Sequence, residues 1–450
     1  MRPDLANSYG QHRLPRYTSY PTAPHFSASV CESDYRTWLK SLGGQQSASI
    51  YVHVPFCRNM CWCCGCHTSV AKRDEPIAIY VAGLRTEAYL VAEAVGQRQP
   101  ISHIHFGGGT PTIMIPEMFA DLVGSLRYSF AVLPDAEIAV EIDPRLLGEP
   151  MAEALGYCGI NRASLGVQNL DPAVQQAINR LQSFGQTATS VDRLRRAGVG
   201  RINFDLLYGL PLQTVASCLD TVAKCLELRP DRFSVFGYAH IPSFKKHQRM
   251  IDDSALPDSV ERHIQSESIA EALIDAGYVR IGIDHFALPD DNLALASQEG
   301  RLRRNFQGYT DDSADALIGL GASAIGRMQQ GFAANAVSTK HYLARITENR
   351  LATMRGYLLT DDDRFRAEII ERLMCDMAVD LPGTSRRHGK DPRSAIIDRS
   401  RIDSLIADGV VVMNDGLLSV ADGAEFLIRN VASAFDAHLP RSEATHSRAV

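Results

Sequence analysis

The run SIYVHVPF at 49–56 passes directly into CRNMCWCCGC at 57–66, so an apolar, β-branched strand signal ends on a cluster of thiols. Six further runs of the same kind follow, beginning at Ile101, Ile138, Arg162, Arg201, Arg232 and Tyr278. Their near-continuous apolar character suits strands buried on both faces of a parallel sheet. Helical stretches lie between them, among them 76–95 and 214–228. Strand and helix alternating at this spacing predicts β/α units and a parallel sheet, folded as a partial, TIM-like (β/α) barrel. Each run also ends in polar or glycine residues: His53, Gly107 to Thr110, Glu141 and Asp143, Gln168, Asp205, Tyr238 and His240, then Asp284 and His285. A β/α barrel builds its active site at the C-terminal ends of its strands, and seven such endings in a row exceed what loop starts and helix caps explain.

The whole chain has 450 residues, 45% of them hydrophobic and 22% charged, enough for one large domain and a smaller one. A formal charge of −6 argues against nucleic-acid and anionic-membrane partners, and any anionic substrate then needs a local cluster of Arg or Lys. No apolar stretch approaches the length of a membrane span, and the polar N-terminus lacks a secretory h-region, so a cytoplasmic protein is expected. Four segments are expected: an arm with a lead-in helix (1–44), the barrel core (45–290), an extension carrying substrate and cofactor contacts (291–360), and a small α-rich C-terminal domain (361–450). In that last segment Asn414, Asp415 and Gly416 predict a hairpin turn.

Five of the ten cysteines fall within 57–66, a density that points to metal or redox chemistry rather than a disulfide framework. Thiolates from Cys57, Cys61 and Cys64 can ligate three irons of a 4Fe–4S cubane and leave the fourth open. The amine and carboxylate of S-adenosylmethionine (SAM) suit that open position, and one-electron reduction there releases a radical able to break an unreactive C–H bond. Zinc would need a second ligand pair that the loop lacks. Cys66 as a fourth ligand would make an electron relay, but its spacing after Cys64 is awkward for one cubane. Cys63 competes with Cys64 as a ligand, and spacing favours Cys64. The GGGTPT segment at 107–112 lets backbone approach a ligand closely and lacks the phosphate-loop pattern.

With HFGGGTPT, VEIDPR, SLGVQ, INFDLLYGLP, DHFALPDD, NFQGYT (305–310) and the N-terminal RYTSYPTA (16–23) added to the cysteine loop, the sequence resembles the oxygen-independent coproporphyrinogen III oxidases of the radical SAM superfamily over nearly its whole length. The resemblance implies oxidative decarboxylation of two propionates of coproporphyrinogen III to vinyl groups, giving protoporphyrinogen IX. It implies a cluster and two SAM molecules per site, an unidentified low-potential electron donor, and a monomer. On matching positions Tyr51, Gly108, Glu141 and Ile325 would hold the first SAM. Gly109, Thr110, Gln168, Arg180, Asp205 and Ala239 would hold the second, and Cys63 would bind the cofactor through its backbone. Tyr51, Cys66 and Gln307 would serve the reaction. Taken alone, Asp205 reads equally as a cap, Arg180 as a surface ion pair and Ile325 as core. The family usually carries an aromatic where this chain has Cys63. A haem chaperone with the same cluster core is the nearest alternative, and that branch lacks the arm, Cys66 and NFQGYT; a radical SAM enzyme acting on another tetrapyrrole is the second, and the arm argues against it less strongly. Arg16 and either Arg303 or Arg304 are candidates to meet the substrate carboxylates, though a solvated face explains the latter pair as well.

Overall fold

A computed structural model describes residues 3–10 and 12–439; the outermost residues of both terminal segments, 1–2 and 440–450, and residue 11 lie outside the described residues. Six of the seven expected runs form parallel strands in register: β1 (Ala48–Val54), β2 (Pro100–Gly108), β3 (Ala131–Ile142), β4 (Arg162–Gln168), β5 (Arg201–Tyr208) and β6 (Arg232–Gly237). Helices Glu75–Val95, Pro116–Ser129, Glu149–Tyr157, Phe184–Arg196 and Val215–Glu227 alternate with them. The starts of the last two are written in sequence. Ser183 with Gln186, and Thr214 with Ser217, form reciprocal capping boxes that satisfy orphan backbone donors. Burial on both sides explains the unbroken apolar runs. Ile50, Val52 and Val54 of β1 are no more than 1% exposed, each contributing on the order of 2 kcal/mol of burial.

The seventh run differs. Tyr278–Phe286 is not one strand but the antiparallel pair β7 (Val279–Ile281) and β8 (His285–Ala287), folded at Gly282. Gly282 has φ +57°, and a Cβ there would collide with the Tyr309 ring, so the chain must turn where the hydropathy reads straight through. A seventh parallel strand comes instead from β9 (Ala316–Leu320), which pairs with β1 on the side away from β2. Three antiparallel strands extend that edge: β10 (Ile325–Arg327), β11 (Gly331–Asn335) and β12 (Thr353–Leu358). The full order is β12-β11-β10-β9-β1-β2-β3-β4-β5-β6-β8-β7, a partial barrel with different strands at its two edges.

A second core lies under helix Asp361–Asp376, whose Phe365, Ile369 and Leu373 fall at helical spacing on one buried face. The expected hairpin is present as Val411–Asn414 and Leu417–Val420, with Asp415 and Gly416 both at positive φ and a third strand, Ala378–Asp380, alongside. The N-terminal segment is built into this core. Leu5, Tyr17 and Tyr20 are buried in it, the Tyr17 hydroxyl lies 3.1 Å from Asp436, and buried Arg429 donates to the carbonyls of Leu14 and Pro15. No helix among the described residues is long and apolar enough to cross a membrane.

Candidate active site

The cysteine loop leaves β1 and is pinned at both ends. Phe56–Cys57 pairs in parallel with Ser69–Val70, and the Ala71 N–H donates to the Cys57 carbonyl at 3.0 Å. Its middle is held from outside: Trp62 N–H donates to Ile178, Asn179 Nδ2 to Met60, His247 Nε2 to Cys64 (2.7 Å) and Lys245 Nζ to Cys66 (2.9 Å). Backbone held this way presents side chains without the freedom of an ordinary loop. All five thiols face one cavity of about 950 Å³ at the C-terminal ends of the parallel strands.

The glycine run explains how a second wall comes so close. A Cβ on Gly107 would lie 2.5 Å from Glu141 Oε1, and Gly108 sits at φ +109°, where a side chain would meet the His53 ring. Gly109 and Thr110 donate their N–H groups to Val54 and Phe56, stitching this run onto the cysteine loop. The Gly108 N–H donates to Glu141 Oε2 at 3.1 Å, and His105 Nε2 lies 3.1 Å from Oε1. Thr68 and Thr110 bring their hydroxyls to 3.3 and 3.5 Å from the Cys57 sulfur.

Charge is arranged around Cys61. Its sulfur accepts from Arg180 Nη1 at 3.4 Å and from Arg145 Nη2 at 3.5 Å, and Asp143 sits between the two guanidiniums, 2.6 Å from Arg145 and 3.6 Å from Arg180. Arg180 is buried and also donates to the Gly166 carbonyl, so it is not the surface ion pair that it resembles in isolation. Arg145 escaped the sequence reading although VEIDPR contains it; only the fold shows that it turns back onto a thiol. The Cys66 thiol hydrogen bond draws Cys64 toward thiolate. Burial pushes the Cys57 thiol up, and pushes Cys63 to about 12. Cys63 packs among Val174, Ile178, Leu210, Tyr238 and Ile251, an apolar setting that explains its neutrality.

The remaining expected residues divide into two groups. Gly108, Gly109, Thr110, Glu141, Gln168, Arg180, Asp205, Ala239 and Gln307 all line the cavity, although they span 200 positions of sequence. Gln168 ends β4 at φ +66°, a left-handed conformation uncommon for a side chain. Asp205 accepts from Ser164 and Asn203, both at 2.8 Å, and burial pushes its carboxyl up to about 6. Gln307 is carried on the turn between Arg303–Asn305 and Gly308–Thr310. Tyr51 and Ile325 stand off the wall. The Tyr51 ring lies behind the cavity against His105 with its hydroxyl 3.0 Å from His53, and Ile325 packs with the Phe26 and Phe332 cluster. Arg303 points outward to Glu371 at 2.8 Å, whereas Arg304 turns inward, its guanidinium 4.3 Å from the Tyr309 ring.

Among the described residues no three His, Cys, Asp or Glu side chains converge as ligands of a single ion. The thiols are instead spread around a cavity beside two guanidiniums. That donor set fits a polynuclear iron–sulfur cluster, whose thiolates must bring negative charge into a partly buried site.

Comparison with known proteins agrees with this geometry. A family model described as the radical SAM superfamily matches residues 51–225. The oxygen-independent coproporphyrinogen III oxidase of Bradyrhizobium diazoefficiens is 60% identical over 100% of both chains, and that of Paracoccus denitrificans is 43% identical over 97% of each. The solved structure of coproporphyrinogen III oxidase from Escherichia coli, described as a radical SAM enzyme, superposes with a TM-score of 0.89 at 35% identity, covering 95% of this chain and 100% of that one. Radical SAM membership implies a 4Fe–4S cluster and SAM. The chain belongs to the oxygen-independent coproporphyrinogen III oxidases, a family of radical SAM enzymes.

Proposed function

We propose that this protein converts coproporphyrinogen III to protoporphyrinogen IX by oxidative decarboxylation of two propionates, using one cluster and two SAM molecules in one cavity. The observation that carries the reading is the convergence of Cys57, Cys61 and Cys64 with Gly108, Gly109, Thr110, Glu141, Gln168, Arg180, Asp205 and Gln307 on a single cavity of about 950 Å³. When bound, the cluster and SAM supply one-electron chemistry that removes hydrogen from an unactivated carbon. Each propionate would lose a hydrogen atom to that chemistry, then carbon dioxide and one electron, the electron passing to a one-electron acceptor, and the side chain would become a vinyl group.

The chain's own residues do the positioning. Cys57, Cys61 and Cys64 hold the cluster, and Arg145 and Arg180 offset thiolate charge at Cys61. The Gly107–Thr110 run offers backbone close enough to grip an amino acid group, with Glu141 holding the Gly108 N–H in place. Asp205 and Gln168 supply acceptors for a second SAM, and Arg180 a donor for its carboxylate. Tyr51 and Ile325 contribute from behind the wall, to the first SAM. Cys66 and Gln307 border the space left for the substrate side chain, and Phe236, Phe306 and Leu207 help to exclude water from it. The same reading makes the protein a cytoplasmic monomer served by a low-potential electron donor, with no nucleic-acid partner. In the Cys57→Ser variant, the visible absorbance of the reconstituted cluster and all turnover should disappear together. Full activity in that variant would overturn the ligand assignment.

A further inference from the structure

A second cavity, of about 560 Å³, adjoins the first and shares with it the walls Phe236, Gly237, Tyr238, Ala239, Ile241 and Arg16. Its lining is unlike the rest of this net-acidic protein. Six arginines face it, namely Arg13, Arg16, Arg262, Arg280, Arg304 and Arg429, against the three carboxylates Asp253, Asp258 and Asp284. Several of these carboxylates are already committed. Asp258 caps the helix Ser259–Asp275, Asp253 lies 2.7 Å from His240, and Asp284 lies 2.7 Å from His285. Arg280 is paired with Glu267. Among the described residues the formal balance of the lining is cationic, six guanidiniums against three carboxylates.

We infer that this chamber is the carboxylate-binding half of the substrate site, in which Arg262, Arg304 and Arg429 take the propionates that are not at the reacting centre. The inference rests on the functional reading above. Arg304 is the first support. Its side chain is 5% exposed, its Nε and Nη1 make no hydrogen bond among the described residues, and the nearest carboxylate oxygen, on Asp284, is 4.0 Å away. A buried guanidinium left in that state is under-satisfied, and a carboxylate arriving through the chamber supplies the missing acceptor.

Arg262 is the second. It lies 5.5 Å over the Tyr208 ring in a slot cut by two glycines. A Cβ on Gly209 would lie 2.1 Å from its Nη1, and one on Gly237 would lie 3.1 Å from its Nη2. Side-chain space is given up at two strand ends to seat one guanidinium. Third, burial and the charges of Arg16 and Arg304 hold Arg429 down at about 9, the sign of cations crowded together, which an anion among them relieves. His263, buried with both ring nitrogens unpartnered among the described residues, adds a further donor on the same wall. Phe236, Tyr238 and Phe426 give the chamber apolar surface for a pyrrole ring.

Carboxylates reach this site from two sources, the porphyrinogen and the amino acid end of SAM, and the experiment separates them. Reconstituted wild-type, Arg304→Gln, Arg304→Lys and Arg262→Gln enzymes are compared for binding of coproporphyrin III, for binding of SAM, and for KM and kcat with coproporphyrinogen III. Both glutamine variants should lose about 10-fold or more in coproporphyrin affinity and show a KM raised by about the same factor, with SAM binding within about twofold of wild type and kcat little changed. Arg304→Lys should recover part of the loss. Folding is checked by cluster absorbance and SAM binding, and two sites on different elements guard against one variant misfolding. Unchanged coproporphyrin affinity in both glutamine variants, while wild type turns over, would overturn the chamber alone. Loss of SAM affinity without loss of coproporphyrin affinity would also overturn it, by assigning the chamber to SAM. Wild-type enzyme that neither binds nor converts the substrate would overturn the functional reading first.

Discussion

Adding one methyl group at Gly109 should disable the site without touching a ligand. The Cβ of Gly109→Ala would lie 2.6 Å from the Phe56 carbonyl oxygen and 2.8 Å from the Phe56 nitrogen, where ordinary contact begins at 3.4 Å. The Thr68 hydroxyl also crowds the position at 2.7 Å and can rotate away, but the two Phe56 atoms are backbone and cannot swing aside. That backbone also accepts from Thr110 at 2.8 Å and leads straight into Cys57. Relief therefore moves Cys57 relative to the glycine run by ~0.8 Å, and a shift approaching 1 Å at a reacting centre costs about 100-fold in rate. Overpacking adds roughly 1–3 kcal/mol of destabilisation. The assay is anaerobic reconstitution followed by iron content, SAM binding and kcat/KM, with Gly124→Ala as the control. Gly124 is exposed on helix Pro116–Ser129 with nothing within 4 Å of its Cβ position, and alanine there should gain about 0.5–1 kcal/mol of stability with activity intact. A Gly109→Ala enzyme with wild-type kcat/KM would refute the reasoning, because it would mean that the close apposition of the two loops does not matter.

Three further outcomes follow from individual side chains. Glu87 is buried among Tyr342, Asn335 and the Gly321 N–H, and burial raises its carboxyl from 4.5 to about 7. The folded state therefore holds a proton that the unfolded state has lost between those values, so stability should fall as pH rises from about 4.5 to 7, by up to ~3 kcal/mol. Urea midpoints across that range should lose this slope in Glu87→Gln, and an unchanged slope would reject the assignment. Cys63→Ala should keep the cluster absorbance at a cost of about 1 kcal/mol, because Cys63 fills an apolar pocket; loss of the cluster would make it a ligand. Arg303→Ala should leave KM for the porphyrinogen unchanged and cost less than about 1 kcal/mol in thermal unfolding, since its ion pair with Glu371 is half exposed. A raised KM would return it to the substrate site.

Six strands were legible because burial on both faces writes an unbroken apolar run, and most of their polar ends line one cavity, whereas His53 lies off it and His240 faces the adjoining chamber. Tyr278–Phe286 failed for the same reason that the others succeeded: hydropathy is blind to the turn at Gly282, which exists because Tyr309 occupies the space beneath it. The β9 strand is hard to read because it is only five residues long and follows a polar, acidic stretch, and its burial comes from β1 on one side, β10 on the other and the core packed over it. Within the site, residue type and spacing pointed to the thiols and the glycine run. They could not show that Arg145 and Arg180 both reach Cys61, nor that of two adjacent arginines one faces Glu371 and the next the interior. Such orientation is fixed by tertiary packing, which a single sequence does not print.

Anaerobic turnover of the reconstituted wild-type protein with SAM, a one-electron reductant and coproporphyrinogen III decides whether this protein is the oxidase. Protoporphyrinogen IX should form, with methionine and 5′-deoxyadenosine alongside it at two of each per molecule of product. Tight haem binding with no decarboxylation would contradict it and favour a carrier built on the same cluster core.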